Sequence, residues 1–313
     1  MSGYYLLYNG DFAYNKSYSN DYAWGAVKRL DKYEKGCLSS LYFVFRPNDN
    51  VDSDYLTHYF ESSKWHKGIS NIAGEGARNH GLLNMAIDDY FATKHYLPSL
   101  PEQKKIAQFF NAITRRIEIQ NKIIEDLKVL KKELNYSLIG RIINGKSSNC
   151  KIEDVIDYEQ PTNYIVKSDK YIENGETPVL TANKAFLLGY TIENEGVYNK
   201  SDCIILDDFT LDFKYVNFPF KIKSSAIKIL TAKKDIELRY FYEYLLFLGL
   251  TSHEHKRHYI SEIAPLPLYL PSIDEQRNAL SALNSISEKI KVEENYIIAL
   301  KAQKCFFLRA MFI

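Results

Sequence analysis

Two stretches of the chain carry the same spacing of side chains that belong inside. From Ile106 to Leu138 the inward positions fall at 106, 110, 113, 117, 120, 124, 127, 131, 134 and 138. Steps of four and three are the heptad seam of a coiled coil. Shifting the sequence by 173 residues lays Leu97-Pro98-Ser99-Leu100-Pro101-Glu102-Gln103-Lys104 over Leu270-Pro271-Ser272-Ile273-Asp274-Glu275-Gln276-Arg277. The match continues without a gap, pairing Ile113, Ile117, Ile124, Leu127 and Leu134 with Ile286, Ile290, Ile297, Leu300 and Phe307. The seam predicts long helices over Glu102–Ile139 and Glu275–Phe312, packed antiparallel. At 1.5 Å per residue each is about 57 Å long. Polar residues interrupt both seams in the same phase, Gln120 and Lys131 in one and Glu293 and Lys304 in the other. Such breaks set register and orientation at some cost in stability. Two long helices, each packed on a separate globular domain, would show the same apolar spacing; the matched breaks favour a shared seam.

Upstream of each helix the echo is fainter but keeps its order. Gly10-Asp11-Phe12-Ala13-Tyr14 matches Ser201-Asp202-Cys203-Ile204-Ile205, a turn entering an apolar strand. Cys37–Tyr42 matches Ile222–Ile227, and Tyr55–Phe60 and Leu238–Leu245 both read as short aromatic helices. A polar basic loop follows in each copy, Arg78-Asn79-His80 and Lys256-Arg257-His258. The chain is therefore an α+β protein with a pseudo-two-fold internal repeat of a β-rich module followed by a long helix. Asn144–Asn149 links the copies. The second copy has the segment Lys151–Ser201 ahead of its turn, with strands expected at Val155–Tyr158, Tyr164–Val166 and Pro178–Thr181; the first has only Met1–Gly10. This predicts an incomplete first module, with Phe12–Tyr14 and Leu41–Phe45 lacking sheet partners and apolar cover. Such edges invite a second chain.

Composition adds limits. At 313 residues, 46% hydrophobic and 25% charged, the chain is long enough for two ordinary cores. A net charge of +1 means that any affinity for nucleic acid must come from a local basic face. Cys37, Cys150, Cys203 and Cys305 are scattered without a metal or disulfide pattern, as suits idle thiols in the cytoplasm. No signal peptide or membrane span is legible.

Four stretches imitate catalytic motifs. Gly140–Ser147 satisfies the written phosphate-loop pattern but trails a helix, where the chemistry needs a strand before it and a helix after it. Asn217-Phe218-Pro219-Phe220 departs from the Asn-Pro-Pro-aromatic motif of adenine methyltransferases, and no glycine-rich methyl-donor turn accompanies it. Gly74-Glu75-Gly76 with Gly81 lacks the dinucleotide spacing, and Asp207-Asp208 beside Glu195 reads as a solvated turn rather than a metal site. The expectation is a chain with no catalytic residues, no metal and no cofactor of its own.

LPSLPEQKKIAQFF before one heptad helix and LPSIDEQRNAL before the other resemble the specificity subunit of type I restriction-modification systems. GDFAYNKSYSNDYAWGAVKRL, EGARNHGLLN, YEQPTNYIVKSDKY and TPVLTANKAFLLGY are similar to that family's target-recognition domains. The resemblance covers nearly the whole chain. It implies a first target-recognition domain over 1–100, a spacer helix and linker over 101–148, a second domain over 149–272 and a second spacer over 273–313. Each domain would read half of a bipartite site in double-stranded DNA, and the helices would dock two methyltransferase subunits. Restriction/translocase subunits would complete the complex, with S-adenosylmethionine, ATP and Mg belonging to those partners. The first module could also mediate self-association.

Candidate DNA-binding residues are loops mixing basic, amide and hydroxyl side chains with aromatics, the groups that hold phosphates and bond base edges. In the first module these are Asn15, Lys16, Ser17, Tyr18, Lys28, Arg29, Arg78, Asn79 and His80. In the second they are Thr181, Asn183, Lys184, Lys223, Ser224, Ser225, His255, Lys256, Arg257 and His258. The competing readings are a coiled-coil scaffold or an inactive specificity allele that binds partners without reading DNA, and a stand-alone enzyme. Two β-rich modules with matched basic loops argue against the first, and absent cofactor motifs against the second.

Overall fold

The computed structural model describes residues 3–20, 22–73, 81–183, 185–252, 254 and 256–312. In chain order the elements are β1 (Tyr4–Tyr8), β2 (Phe12–Asn15), β3 (Ala26–Arg29), β4 (Lys35–Ser39), β5 (Phe43–Phe45), α1 (Ser53–Glu61), α2 (His66–Ile72), α3 (Ile87–Phe91) and α4 (Leu100–Ile143). Then come β6 (Cys150–Lys151), α5 (Ile152–Val155), β7 (Ile156–Glu159), β8 (Thr177–Leu180), β9 (Leu187–Thr191), β10 (Cys203–Asp207), β11 (Phe213–Val216), β12 (Lys221–Ile222), β13 (Ile227–Ala232), α6 (Leu238–Leu248), β14 (Pro267–Leu268) and α7 (Ile273–Met311). A 3-10 turn covers Pro161–Tyr164 and a π-helical turn covers Tyr259–Ile263. The chain divides into unit 1, Met1–Glu125 with Lys291–Ile313, and unit 2, Asp126–Ile290.

Both units are built around one plan. In unit 1 the strand order is β3-β2-β5, and in unit 2 it is β11-β10-β13-β7, all antiparallel. The central strands differ as their sequences require. Phe12-Ala13-Tyr14-Asn15 alternates and buries one face; Cys203-Ile204-Ile205-Leu206 is apolar throughout and is buried on both. On one side of β10, Ile204 and Leu206 pack with Phe241 and Leu245 of α6. On the other, Cys203 and Ile205 meet Leu180 and Ile222 of a second sheet of order β12-β8-β9, and Phe220 just before β12.

The expected lack of cover in unit 1 is not found. Strand β2 is paired on both sides, and Phe12 and Tyr14 are fully buried. Large aromatics on and beside the helices take the place of a second sheet layer: Tyr14 stacks on Tyr90 with ring centroids 4.7 Å apart, Trp65 meets it edge-on, and Phe110 and Phe312 close the base. Leu41 does lie exposed, outside any strand.

The long helices run antiparallel. In unit 1, Phe109, Arg116 and Gln120 of α4 meet Phe307, Tyr296 and Glu293 of α7, one number rising as the other falls. In unit 2, Ile139 near the end of α4 joins Ala279 and Leu280 near the start of α7. Ile124, Ile290, Ile297 and Leu300 are buried, while Ile113, Ile117, Leu127, Leu134, Ile286 and Phe307 are half-buried. Of the polar breaks, Gln120 and Glu293 bond one another. The two lysines do something else. Lys131 pairs at 2.9 Å with buried Glu243 of α6, and Lys304 pairs at 2.8 Å with Glu61 of α1. They fasten each module's short helix to a long one.

The repeated motif at each helix start is a lock. Ser99 and Ser272 donate through both N–H and Oγ to Glu102 and Glu275, a capping box. One residue further in, Gln103 and Gln276 are buried. Gln103 Oε1 accepts the Asp52 N–H at 2.8 Å while its Nε2 donates to the Pro98 carbonyl at 2.9 Å. Gln276 repeats this with the Glu237 N–H at 2.9 Å and the Pro271 carbonyl at 2.9 Å, and its Nε2 also donates to the Asp235 carbonyl at 3.0 Å, as Gln103 does to Asn50 at 3.4 Å. Asp52 and Glu237 are the N-caps of α1 and α6, so each amide ties a module helix to a long helix.

Two outcomes follow. Gln276→Ala leaves a buried N–H and two carbonyls without partners and lowers stability by about 1–3 kcal/mol in urea denaturation; an unchanged midpoint would remove the lock from the account. At Glu61, burial opposes ionisation, but hydrogen bonds from His58 and Lys304 outweigh it and hold the carboxyl at about 2, below its ordinary 4.5. A depressed carboxyl stabilises the fold above its unfolded value and ceases to do so as pH falls through the folded one. The advantage of the native chain over Glu61→Gln is therefore complete above pH 4.5 and gone near pH 2, read as a difference in Tm.

Candidate nucleic-acid interface

In unit 2 the fold gathers the candidate loops along one edge. Strands β8 and β12 run parallel, with Leu180 opposite Ile222, so the Thr181–Asn183 and Lys223–Ser225 turns emerge side by side; the Lys223 N–H donates to the Leu180 carbonyl at 3.1 Å. The second turn leads to Ala226, whose carbonyl accepts the Asp208 N–H at 2.9 Å. Asp208 in turn holds the Lys256–Tyr259 segment.

Asp208 corrects the expectation of a solvated acidic turn. It is 1% exposed, and its Oδ1 accepts the backbone N–H groups of His258 at 3.1 Å and Tyr259 at 2.7 Å. Its other oxygen faces buried Lys228 at 3.5 Å and half-exposed Arg257 at 3.6 Å. Burial pushes the Lys228 ammonium below its ordinary value, against the pull of Asp208. A buried pair broken on one side leaves a charge without compensation, so this hub is costly to disturb. Asp207 next to it turns its Oδ1 to the N–H groups of Phe209 and Thr210. Among the described residues no group of three or more His, Cys, Asp or Glu side chains could hold a metal ion.

Around this hub the other candidates are partly committed. Thr181 is buried, and Asn183 accepts the Ala185 N–H at 3.2 Å. Lys223 pairs with Asp169 and lies over the Tyr171 ring; Ser224 Oγ accepts the Ala226 N–H, and Ser225 is exposed. Lys256 bridges Glu254 at 2.7 Å and Glu262 at 2.8 Å. Arg257 stacks over Phe209, with its centre 5.5 Å from the ring. His258 is buried, its Nδ1 2.7 Å from Glu262 and its Nε2 2.8 Å from Ser252 Oγ. The Glu262 carboxylate raises the His258 pKa above its ordinary 6.5.

Unit 1 repeats the arrangement at the end of β2. The Lys16 carbonyl accepts the Leu83 N–H at 2.9 Å and the Tyr18 N–H donates to Gly81 at 3.0 Å, setting Lys16-Ser17-Tyr18 beside the stretch that follows the basic loop. Asn15 caps this turn by accepting the Ser17 N–H at 2.9 Å, and Lys16 lies over the Phe43 ring. Gly25 makes the turn possible, since at φ 76° it approaches the Asn15 carbonyl so closely that an added Cβ would sit 2.2 Å away. Lys28 is exposed on β3. Arg29 is 17% exposed and held by Asp31 at 2.6 Å, Asp54 at 2.8 Å and Ser53 Oγ at 2.8 Å, which commits it to the fold. Arg78, Asn79, His80, Lys184 and His255, and the Gly74–Gly76 stretch, lie outside the described residues.

The other motif imitations are structural. Gly140–Ile143 is the last turn of α4 and Gly145 closes it at φ 71°. A helix C-terminus presents carbonyls and partial negative charge, the opposite of a phosphate cradle. Phe220 of the Asn217–Phe220 stretch is a fully buried core residue. Sequence reasoning missed Gln103, Gln276, Asp208 and Gly25. For the glutamines the signal was present in the repeated Glu-Gln pair; nothing marked Asp208 apart from Asp207.

The fold resembles that of solved type I restriction-modification proteins. One is an S subunit from M. genitalium, with TM-score 0.59 and 16% identity over 98% of this chain and 84% of that one. Another, from work on complex assembly and conformational transition of a type I R-M system, has TM-score 0.58 and 16% identity over 98% of this chain and 83% of that one. Residues 8–129 match the family model of the type I restriction modification DNA specificity domain. A 139-residue stretch, 42% of this chain, is 40% identical to the EcoR124I/EcoR124II type I restriction enzyme specificity subunit of Escherichia coli. It spans only 34% of that relative's length.

The His258 geometry has a pH consequence. A raised imidazole pKa stabilises the fold fully below the unfolded value and ceases to do so as pH rises through the folded one. The native chain should therefore exceed His258→Gln in stability below pH 6.5, with the gap closing on the alkaline side. A gap that instead widens with pH would mean that His258 is held neutral.

Proposed function

We propose that this chain is a non-catalytic DNA-recognition subunit of a type I restriction-modification complex. It reads a bipartite double-stranded site and directs adenine methylation or cleavage by partner subunits. The observation that carries the reading is that the matched DNA specificity domain lies in a unit whose plan the chain builds twice. The flanked central strand, the short helix whose N-cap residue bonds a buried glutamine, and the loop docked at the strand end recur in both units. In this reading 1–100 and 149–272 are the two readers, and 101–148 and 273–313 the spacers. The partners are two methyltransferase subunits and restriction/translocase subunits, which carry S-adenosylmethionine, ATP and Mg. The site of action is the cytoplasm. No described helix is long and apolar enough to cross a membrane.

Arg257, half-exposed, stacked on Phe209 and aimed from a buried anchor, is the side chain best prepared to read a base. A scaffold that binds partners without reading DNA is favoured by one observation, the number of basic candidates already paired with acids. The two readings separate in DNA binding by the assembled complex. Arg257→Ala should lower affinity by about 1–3 kcal/mol and relax discrimination at one base position. A loss equal for all sequences, with a salt slope flatter by about one, would assign Arg257 to phosphate. Unchanged binding at low salt would favour the scaffold.

A further inference from the structure

Unit 2 fills a groove that unit 1 leaves open. In unit 2 the outer edge of β13 is taken by β7, antiparallel, with Leu230 opposite Tyr158 and Ala232 opposite Ile156. Just before β7, α5 sends Ile152 and Val155 into the core beside α6, with Ile156 following; all three are buried. The Val155 carbonyl accepts the Lys233 N–H at 2.8 Å, and Tyr158 packs on Tyr259 with centroids 5.4 Å apart. The groove that receives them is formed by the end of β13, the face of α6 and the turn at Tyr259–Ile263.

In unit 1 the corresponding walls are β5, α1 and α3. Among the described residues β5 pairs only with β2. Beside its end lies a cavity of about 260 Å³, lined by Phe45, Pro47, Leu56, Phe60, Phe91 and Leu97 among others. An apolar cavity of about 150 Å³ already holds a benzene-sized group, so there is room here for more than one side chain. Phe91 on α3, which lines it, is 49% exposed. Arg46 at the end of β5 has 60% of its side chain exposed and is held by Asp11 at 2.7 Å.

We propose that this groove of unit 1 is a β-augmentation site for an extended segment of another polypeptide, patterned like Ile152–Glu159. That pattern has apolar residues at its first, fourth and fifth places, acids at the second, third, sixth and eighth, and an aromatic at the seventh. Backbone pairing with β5 supplies affinity, and the alternating pockets supply selectivity. A second copy of this chain is a poor donor, because its own Ile152 and Ile156 are buried in its unit 2. The inference does not depend on whether the chain reads DNA.

The test uses the full chain with a synthetic peptide of residues 151–160. In a second sample the same ten residues are fused ahead of Met1 through a Gly-Ser linker, so that low peptide affinity cannot hide an effect. Amide exchange at Phe43–Arg46 should slow roughly tenfold on occupancy. The slowing should vanish when the peptide carries Asp in place of its Ile156 and Tyr158, and when the protein carries Phe91→Asp. No slowing in either sample overturns the proposal, as does slowing by the Asp peptide. Slowing confined to Ile229–Ala232 would mean strand exchange in unit 2 and overturns it too. So would a dimer that protects β5 without peptide.

Discussion

Each long helix begins against the start of a shorter one, and this forces a particular side chain into the junction. Two helix N-termini brought together expose several backbone N–H groups at once, and their partial positive ends repel. Glu102 and Glu275 answer the charge, each held as a carboxylate by its serine, with its pKa below the ordinary value. The buried position one residue on must accept an N–H from the short helix's cap and donate to carbonyls of the entering chain. An amide does both without adding charge, and its two N–H groups can serve two carbonyls. A carboxylate would lack the donors, and an apolar residue would leave the cap N–H of Asp52 or Glu237 unpaired, which is expensive in a buried site. Gln103 and Gln276 therefore fix where each module sits on its helix, and the candidate loops inherit their position from that junction.

The same logic governs the lysines in the seam. A polar residue at a coiled-coil core position can specify a partner helix, and Gln120 with Glu293 does so. Lys131 and Lys304 reach past the seam to carboxylates on the modules' short helices. Asn135 adds two further bonds to Glu243, one to its carbonyl and one to its side chain, both at 3.0 Å. A buried carboxylate with both a cation and an amide is compensated, whereas a lysine facing only the opposite helix would not be. Module and spacer are thus joined by hydrogen-bonded charge as well as by apolar contact.

The repeat, the two long helices, the short aromatic helices and the turn before each central strand were legible because periodicity and local pairing carry them. The 173-residue echo also marked Gln103 and Gln276, though their roles needed the turn before α1 and α6 in view. Three things were not legible. The cover of Phe12 and Tyr14 comes from residues as distant as Tyr90, Phe110 and Phe312, and no local pattern announces an aromatic layer in place of a sheet. Asp208 looks like Asp207 in sequence, and only the arrival of Lys228 from β13 and of the His258–Tyr259 amides makes it a buried hub. Arg29 looks like any strand-end arginine until Asp54 of α1 closes on it. In each case the deciding partner is distant in sequence.

For the proposed role, the division at the unit 2 edge between fixed and exchangeable charge matters more than the net charge of +1. Asp208 and Lys228 are each 1% exposed, so their pairing cannot be traded for a phosphate without stranding a buried charge. Lys223 and Lys256 hold their acids in exposed pairs, which water and salt screen. A phosphate can replace Asp169 or Glu254 at little cost, and counterions leave the duplex as it does. Away from such a fit the lysines remain neutralised by their neighbours, and long-range attraction to nucleic acid stays weak. An edge with this layering holds its loops rigidly from beneath and keeps its outer cations in reserve. Binding then depends on a backbone shaped to reach several of them together, which is the condition under which a base contact from Arg257 can discriminate.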